Sequence, residues 1–317
     1  MRMRSDQAAS PRGARASVVI PTLNAARHLP DLVAAFARLA DRPARVLFID
    51  SGSSDGTVEQ VRAAGHVLHA IARADFGHGR TRNLAVRLCP DSDYIVYLTQ
   101  DARPQGDNWL TELLAPFDDE RVALVYGRQL PRPGAGPAER YAREFNYPAQ
   151  PDRTVLADVG VRGVKAVYCS NSFAAYRRAA LEAVGGFPEL LPLGEDMSVA
   201  LRLLQRGHAR VYQPLALAVH SHDYGVVDEF KRYFDIGTLM AMDAGLQRAS
   251  LATAGEGWRY ARGEFALAWR EGRILLLPLT GLRIVAKAAG FALGRRYRLL
   301  PQRWRRRLSM HRYFWSV

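Results

Sequence analysis

The amino-acid sequence predicts an α/β fold in which a mainly parallel sheet is flanked by helices. Three observations predict it. Short apolar runs alternate with segments of helical periodicity between residues 16 and 101. Each run ends at a polar or turn-forming residue, as buried parallel strands do. An apolar share of 48% over 317 residues is enough for one large core or two smaller ones.

The first half of the chain predicts four strands joined by three helices. The strands are expected at 16–20, 45–50, 66–72 and 94–99, and the helices at 29–39, from 58 onward and at 79–89. This order predicts parallel strands with helical crossovers, and ligands of such sheets bind beyond the carboxyl ends of the strands. Asn24, Asp50 and Asp101 lie at those ends, which predicts a ligand site there.

The second half of the chain predicts a more mixed arrangement. Helices are expected at 109–117, 178–184 and 195–206, and the chain is expected to be largely helical from 226. Extended segments are expected at 123–126, 164–170, 173–176, 210–212 and 216–220, with a Pro/Gly loop at 131–137.

The net charge of +13 is concentrated at the C-terminus. Residues 273–317 contain 11 Lys or Arg and no Asp or Glu, so the remainder is nearly neutral. This pattern indicates one basic docking segment and argues against a nucleic-acid-binding face spread over the fold. A nucleic-acid-binding protein that uses only the arginine-rich tail stays open as an alternative.

An apolar stretch at 274–293 has the length of a membrane span. Arg283 and Lys287 lie near its middle, and each costs about 2.5–3.5 kcal/mol at a bilayer centre. A helix lying in the membrane interface is therefore favoured over a buried core helix, and a membrane-spanning helix is the least favoured of the three. Residues 1–15 lack a signal-peptide core, and Cys89 and Cys169 read as reduced thiols of a cytoplasmic protein.

Three polar clusters carry candidate chemistry. Asp101 ends an apolar strand and is a candidate ligand for Mg²⁺ or Mn²⁺. Glu195 and Asp196 follow a Gly/Pro-rich loop, which suits a general base. His220 and His222 point the same way if they lie on a strand, so both can reach one cation. A metal-dependent hydrolase built on these histidines and Asp101 stays open as an alternative.

A glycine-rich turn at 77–83 partly matches a dinucleotide fingerprint. Its third glycine is replaced by Asn83, and it does not follow the first strand, so we exclude a nicotinamide site. Arg80 and Arg82 still suit contact with an anionic ligand.

Four separated motifs resemble the family-2 inverting glycosyltransferases of GT-A fold. They are SVVIPTLN at 17–24, IDSGSSDGT at 49–57, the strand that ends at Asp101, and GED at 194–196. Four further segments are similar to the bacterial rhamnosyltransferase branch, at 76–83, 126–131, 169–173 and 220–224. The resemblance covers about residues 16–240.

The resemblance implies a role for each matching position. Nucleotide contacts are expected from Pro21, Thr22, Asn24, Asp50, Ser51, Asp55, Gly79, Arg80, Asn83 and Gln100. Asp101 and His220 would hold Mg²⁺ or Mn²⁺, and Asp196 would be the general base, with Glu195 as its rival. Contacts to the acceptor or the donor sugar are expected from Trp109, Ser170, Asn171 and His222.

The resemblance also implies partners and domain boundaries. The expected donor is a nucleotide-diphosphate sugar, dTDP-rhamnose first and a UDP- or GDP-sugar second. The expected acceptor is a saccharide or polyprenyl-linked glycan, reached at an anionic membrane surface on the cytoplasmic side. The expected division is a leader at 1–15, a nucleotide-sugar half at 16–125, an acceptor-binding half at 126–225, a helical segment at 226–272, and a membrane-associating segment at 273–317.

Overall fold

The computed structural model describes residues 12–251 and 255–316, and a mixed sheet lies at the centre of this part of the chain. Most of the expected leader lies outside the described residues. The strands are β1 (Ala16–Thr22), β2 (Arg45–Asp50), β3 (Val67–Ala70), β4 (Tyr94–Leu98), β5 (Arg103–Gln105), β6 (Val122–Leu130), β7 (Asp152–Thr154), β8 (Phe173–Arg177) and β9 (Ala209–Val219).

The strands follow the order β3-β2-β1-β4-β8-β6-β9-β5, with β7 also paired to β9. The first four are parallel to one another, and β8 runs antiparallel between β4 and β6. β9 lies parallel to β6 and antiparallel to β5 and β7. Parallel crossovers therefore build the N-terminal half, and the expected α/β architecture is confirmed.

Helices cover both faces of the sheet and continue beyond it. Their bounds are α1 (Leu29–Ala37), α2 (Thr57–Ala63), α3 (His78–Leu88), α4 (Trp109–Leu114), α5 (Pro137–Asn146), α6 (Leu156–Arg162), α7 (Val164–Val167), α8 (Arg178–Ala183), α9 (Glu195–Gln205), α10 (Val226–Met242), α11 (Ala244–Ser250), α12 (Glu256–Arg270), α13 (Leu277–Arg295) and α14 (Gln302–Leu308). Val19 packs into one apolar cluster and its neighbours Val18 and Ile20 into the other. This alternation shows that β1 is buried on both faces.

Two elements differ from the sequence-based expectation. Residues 164–167 form helix α7, although their valines predicted an extended segment. The reason is tertiary: the buried Arg210 guanidinium donates to the carbonyls of Lys165 and Ala166, which the turn of α7 presents to it. The two short strands expected at 210–212 and 216–220 are one strand, β9, whose pairing with β6 shifts register between Gly127 and Arg128.

The C-terminal helices pack against one another through glycines. A side chain at Gly290 would collide with the Phe230 carbonyl, and one at Gly294 with the Phe234 carbonyl, so α13 lies directly on α10. Within the described residues, the segment Ile274–Arg295 is the helix that is long and apolar enough to cross a membrane, with a mean hydropathy of 1.6. The domain boundaries proposed from the sequence remain predictions.

Candidate active site

The Asp50 carboxylate organises the turn at the carboxyl end of β2. Its Oδ2 accepts hydrogen bonds from the backbone N–H groups of Gly52 (3.0 Å) and Ser53 (2.9 Å). Its Oδ1 accepts from the hydroxyls of Ser53 (2.5 Å) and Thr22 (3.2 Å). Ser51 donates its N–H and its hydroxyl to the Thr22 carbonyl, each at 3.0 Å. The ends of β1 and β2 are therefore joined, and Asp50 is already well supplied with hydrogen-bond donors.

The loops after β1 and β2 are held together by reciprocal hydrogen bonds. Asn24 donates its N–H to the Ser53 hydroxyl (2.8 Å) and accepts from the Ser54 N–H (3.0 Å). Asp55 accepts from the Ala26 N–H (3.0 Å). Asn24 has a φ of 50°, a left-handed conformation that Asn tolerates better than most residues. Its exposed side chain therefore lies on a loop whose shape is set before any ligand binds.

Gln100 joins the end of β4 to the same loop. Its amide nitrogen donates to the Leu23 carbonyl (3.1 Å), and its amide oxygen accepts from the Leu23 N–H (2.8 Å). Pro21 lies half-buried in β1 opposite Ile49 of β2. Gln100 and Pro21 therefore shape the rim, and the amide of Gln100 is largely engaged by protein backbone.

Asp101, His220 and His222 converge at one point. One ligand atom from each lies within 4.8 Å of the other two. Asp101 Oδ1 is 3.5 Å from His220 Nε2, and Asp101 Oδ2 is 3.7 Å from His222 Nδ1. The antiparallel pairing of Arg103 with Val219, continued by two residues, sets Asp101 opposite the segment 220–222. The three residues therefore form a candidate metal centre.

The hydrogen bonds around His220 suit a cation. Its Nδ1 lies 2.8 Å from the Gln129 amide oxygen, which also accepts from Arg143 (2.8 Å). A His220 that donates from Nδ1 turns the Nε2 lone pair towards Asp101, as is usual for metal-bound histidines. Nε2 and the carboxylate are then both acceptors, so a cation between them fits. Gln129 lies in the segment 126–131 that resembles the rhamnosyltransferase branch, but nothing in the sequence linked Gln129 or Arg143 to the histidines, because each lies on a different element from them.

The charges of this cluster agree with that use. Burial alone would raise the pKa of Asp101. When the two imidazoles carry a proton, hydrogen bonding and positive charge from His220, and then the charge of His222, hold that pKa well below its usual range. Burial, followed by repulsion from His220, lowers the pKa of His222 to about 4. His222 is therefore neutral at pH 7, the form in which imidazole binds metals. A carboxylate with two imidazoles is a ligand set for divalent transition-metal ions.

Glu195, the first residue of α9, is not free to act as a base. Its Oε1 accepts from Arg82 Nη1 (2.7 Å) and from the Asn171 amide (3.1 Å), and the Glu195 side chain is only 6% exposed. The expectation of a rival general base at Glu195 is therefore not supported. The suggested role of Arg82 in binding an anionic ligand is likewise not supported, because its guanidinium is buried against Glu195.

Asp196 is partly exposed and better suited to accept a proton. Its Oδ2 accepts from the Asn171 N–H (3.1 Å) and its Oδ1 from the Met197 N–H (2.8 Å). Burial, and then the negative charge of Glu195, raise the pKa of Asp196 to about 7, against the lowering effect of Arg82. A base with a pKa near the working pH transfers protons efficiently.

Asn171 has a positioning role where a sugar contact had been expected. It is buried, its amide nitrogen donates to Glu195, and its amide oxygen accepts from the Tyr176 hydroxyl (2.7 Å). The backbone N–H of Asn171 also binds Asp196, so one residue holds both carboxylates. Ser170 precedes it and is partly exposed.

Trp109 does not reach the site, contrary to the expectation that it contacts a sugar. Its side chain has 0% exposure and lies in the core, with ring centroids 5.9 Å from Phe36 and 5.8 Å from Phe173. The cause is the apolar face of α4, which packs Trp109 onto the sheet.

Most of the glycine-rich segment at 77–83 forms the first turns of α3 and packs against the loop at 187–189. The expected nucleotide contacts of Gly79 and Asn83 are not supported. Gly79 lies directly against the Pro188 carbonyl. The Asn83 side chain accepts from the Phe187 N–H (2.8 Å) and donates to the Phe187 carbonyl (2.9 Å). Arg80 remains largely exposed, with Nε 3.6 Å from a carboxylate oxygen of Glu189.

The C-terminal tail returns to this turn, which the sequence did not indicate. The rings of His311 and Tyr313 pack edge-on against His78, with centroids 4.9 Å and 6.2 Å away, and Tyr313 also contacts Phe76. Local periodicity carries no signal for a contact across more than 200 residues.

Comparison with known proteins agrees with this geometry. The family model described as Glycosyl transferase family 2 matches residues 17–185. The O-antigen chain rhamnosyltransferase WbaN of Salmonella anatum is 37% identical over 301 residues, covering 95% of each chain. RfbN of Salmonella typhimurium strain LT2, also an O-antigen chain rhamnosyltransferase, is 37% identical over 95% of this chain and 96% of its own length.

Solved structures share the fold. The mannosyltransferase PcManGT from Pyrobaculum calidifontis, in complex with GDP-Man and Mn²⁺, superposes with a TM-score of 0.61 at 18% identity, covering 88% of this chain and 87% of that one. Residues 1–349 of Staphylococcus aureus TarS, in complex with UDP-GlcNAc, superpose with a TM-score of 0.53 at 16% identity, covering 90% and 91%. The match of the family model and the similarity to two full-length relatives lead to one conclusion: the chain is a glycosyltransferase that belongs to glycosyl transferase family 2.

Proposed function

We propose that this enzyme transfers L-rhamnose from dTDP-rhamnose to a saccharide acceptor, with inversion at the anomeric carbon, during synthesis of a surface polysaccharide. The observation that carries the reaction type is Asp196, a partly exposed carboxylate with a raised pKa that two backbone N–H groups hold in place. The sugar is inferred from the two rhamnosyltransferases that are 37% identical to this chain.

Asp196 is proposed to act on the acceptor. Its carboxylate removes the proton from an acceptor hydroxyl while that oxygen attacks the anomeric carbon of the donor. The new carbon–oxygen bond forms as the bond from that carbon to the diphosphate oxygen breaks. The electron pair leaves on the nucleoside diphosphate, and the proton ends on Asp196. Buried Glu195 is held by Arg82 and takes no part in this transfer.

The rim of the parallel strands is proposed to bind the nucleotide. Asp50 and Asp55 hold the loops that surround it, and Asn24 offers an exposed amide on the β1 loop. Asp101, His220 and His222 are proposed to hold Mn²⁺ or Mg²⁺. We favour Mn²⁺ because Mg²⁺ prefers oxygen ligands and because the PcManGT structure contains Mn²⁺. An ion held by these residues would neutralise charge that develops on the leaving diphosphate.

The acceptor is proposed to be a polyprenyl-linked glycan at the inner face of the cell membrane. Two observations support this location: the curated relatives are described as acting on O-antigen chains, and residues 273–317 carry 11 basic and no acidic residues. The basic segment would attract anionic lipid.

The experiment that tests the function measures transfer from radiolabelled dTDP-rhamnose, UDP-sugars and GDP-sugars to a lipid-linked glycan, with and without Mn²⁺. We expect transfer from dTDP-rhamnose and none from the UDP- or GDP-sugars. Transfer from a UDP- or GDP-sugar only would replace the donor and keep the reaction. Hydrolysis that needs no nucleotide sugar would replace the reaction itself by that of a metal-dependent hydrolase.

A further inference from the structure

Helix α13 turns Arg283 and Lys287 inwards and a row of apolar side chains outwards. Arg283 donates to the Tyr224 carbonyl (2.5 Å), and Lys287 lies 3.2 Å from Glu264 and 3.4 Å from Glu229. Both basic residues therefore have partners within the helical bundle. Because neither Arg283 nor Lys287 faces outwards, their charges add no free-energy cost when α13 contacts lipid.

The opposite side of α13 is exposed and uncharged. Residues 275, 278, 282, 285, 289 and 292 follow one another at spacings of three and four, and all are apolar and exposed. Leu275, just before the helix, is 94% exposed, and Leu282 and Val285 are more than half exposed. A stripe of this length on a helix has no partner within the described residues.

Helix α12 extends this apolar surface. Trp258 and Trp269 are both more than 60% exposed and lie on one side of α12 with Phe265. The Phe265 ring lies within ordinary contact of Gly281 on α13, so the two stripes adjoin. We refer to Trp258, Phe265, Trp269, Leu275, Leu282 and Val285 as the outer face.

The charges around the outer face select its partner. Exposed arginines lie before α13, at Arg270 and Arg273, and after it, at Arg296 and Arg298. No acidic residue follows Glu271 in the chain. Tryptophans beside an apolar stripe with flanking arginines match the boundary between lipid headgroups and acyl chains.

We propose that the outer face of the α12–α13 hairpin lies in the headgroup region of an anionic lipid bilayer, parallel to its plane. This inference deepens the proposed membrane location and rests on it. It assigns the main contact to apolar and tryptophan side chains, including those of α12, and gives the arginines a flanking role. It also differs from a span, which would pull Lys287 away from Glu229 and Glu264.

The same helix connects the lipid to the active site. Arg283, on the inner side of α13, holds the Tyr224 carbonyl, and the Tyr224 ring stacks on His222 with centroids 5.1 Å apart. His222 in turn faces Asp101. The bilayer contact therefore lies one helix away from the candidate metal centre, which suits an acceptor whose sugar is attached to a membrane lipid.

The test compares the full-length protein with two double variants in vesicle sedimentation. Leu282→Glu/Val285→Glu places acids on the outer face, and Val161→Glu/Leu215→Glu makes the same change at exposed sites on α6 and β9. Vesicles of phosphatidylcholine, with and without phosphatidylglycerol, are the probe. We expect the first variant to bind anionic vesicles about tenfold more weakly or worse, and the second to bind like the unmodified protein. Equal binding by both variants would overturn the proposal.

Tryptophan quenching by lipids brominated on their acyl chains gives an independent readout. Quenching should disappear in Trp258→Phe/Trp269→Phe and persist in Trp304→Phe. Persistence in the first variant would assign the contact to the arginine-rich tail and overturn the outer face. Two further results would overturn the outer face as a lipid contact. One is a dimer, detected by light scattering, that dissociates in the Leu282→Glu/Val285→Glu variant. The other is protein that stays with the vesicles after washing with alkaline carbonate, as a membrane-spanning protein does.

Sugar transfer to a short water-soluble glycan is measured on the same variants. The outer-face variant should keep this activity within about twofold, because the substituted side chains are exposed and lie on the side of α13 opposite Arg283. If the unmodified protein showed no sugar transfer, the proposed function would be contradicted. The vesicle experiments would still test the lipid contact, because they do not depend on activity.

Discussion

Arg82 Nη1 lies 2.7 Å from Glu195 Oε1, and both side chains are buried. Because Glu195 precedes Asp196 in the chain, the pair also acts on the proposed base. The Glu195 charge raises the pKa of Asp196, and the Arg82 charge lowers it. Burial raises the pKa of Asp196 most, and the two charges of the ion pair shift it in opposite directions. The ion pair also removes Glu195 from catalysis.

Opposite changes at this ion pair should move the pH dependence in opposite directions. Asp196 must be ionised to accept a proton, so the rate should rise through its pKa of about 7. Glu195→Gln removes a negative charge and should lower the midpoint of the pH–rate profile by on the order of one unit. Arg82→Gln should raise it by a similar amount. Arg82→Lys, which keeps the charge, is the control, and shifts of the same sign in both neutral variants would contradict this electrostatic role.

Asp196→Asn should reduce turnover by about 10²–10⁴ while donor binding is retained, because only the proton acceptor is lost. Transfer of radiolabel measures the first and calorimetric titration of the nucleoside diphosphate the second. Asp91→Asn is the control, since Asp91 is an exposed carboxylate before β4. A rate like that of the unmodified enzyme would remove Asp196 from the mechanism.

Gln129→Leu should weaken Mn²⁺ binding about 10–100-fold, because Gln129 orients the His220 ring and sets which nitrogen faces Asp101. Electron paramagnetic resonance of free Mn²⁺ measures the affinity. Gln60→Leu, at an exposed position on α2, should leave it unchanged. Unchanged affinity in Gln129→Leu would mean that His220 needs no orientation, or binds no metal.

Trp109→Ala should lower the free energy of unfolding by about 3–5 kcal/mol, because it empties a fully buried ring site between Phe36 and Phe173. Trp258→Ala, at an exposed position, should change it by less than about 0.5 kcal/mol. Denaturant titration distinguishes them. If Trp109→Ala left stability intact and raised the KM for the acceptor, the sugar-binding role would be restored.

Asp235 should give the protein a pH-dependent stability. Its buried carboxylate accepts from the N–H groups of Met310 (2.9 Å) and His311 (3.4 Å), and burial raises its pKa from 3.8 to about 6. The protonated form is favoured in the fold, so this contribution is complete below pH 3.8 and is lost as the pH rises through 6. Asp235→Asn should remove that part of the dependence. If the free energy of unfolding changed with pH in the same way for the unmodified protein and for Asp235→Asn between pH 4 and 7, Asp235 would not be the cause of the pH dependence.

The α/β class and the family could both be predicted from the sequence. The strands that end at Thr22, Asp50 and Leu98 follow from local apolar runs to within two residues, and parallel crossovers bring such ends to one edge of the sheet. The motifs that carry the family resemblance are contiguous, and none needs a distant residue to be recognised.

Which side chains are available for chemistry depends on packing and is visible only in the tertiary structure. Glu195 and Asp196 are adjacent in the chain, yet Arg82, more than a hundred residues away, pairs with one and leaves the other. Trp109 is buried in the core and cannot contact a sugar. The register of β5 against β9 places Asp101 beside His220 and His222. On α13, the charges that the sequence suggested would oppose lipid are turned towards Glu229, Glu264 and the Tyr224 carbonyl. Spacing along a chain sets local geometry, but burial and charge pairing depend on neighbours that packing alone supplies.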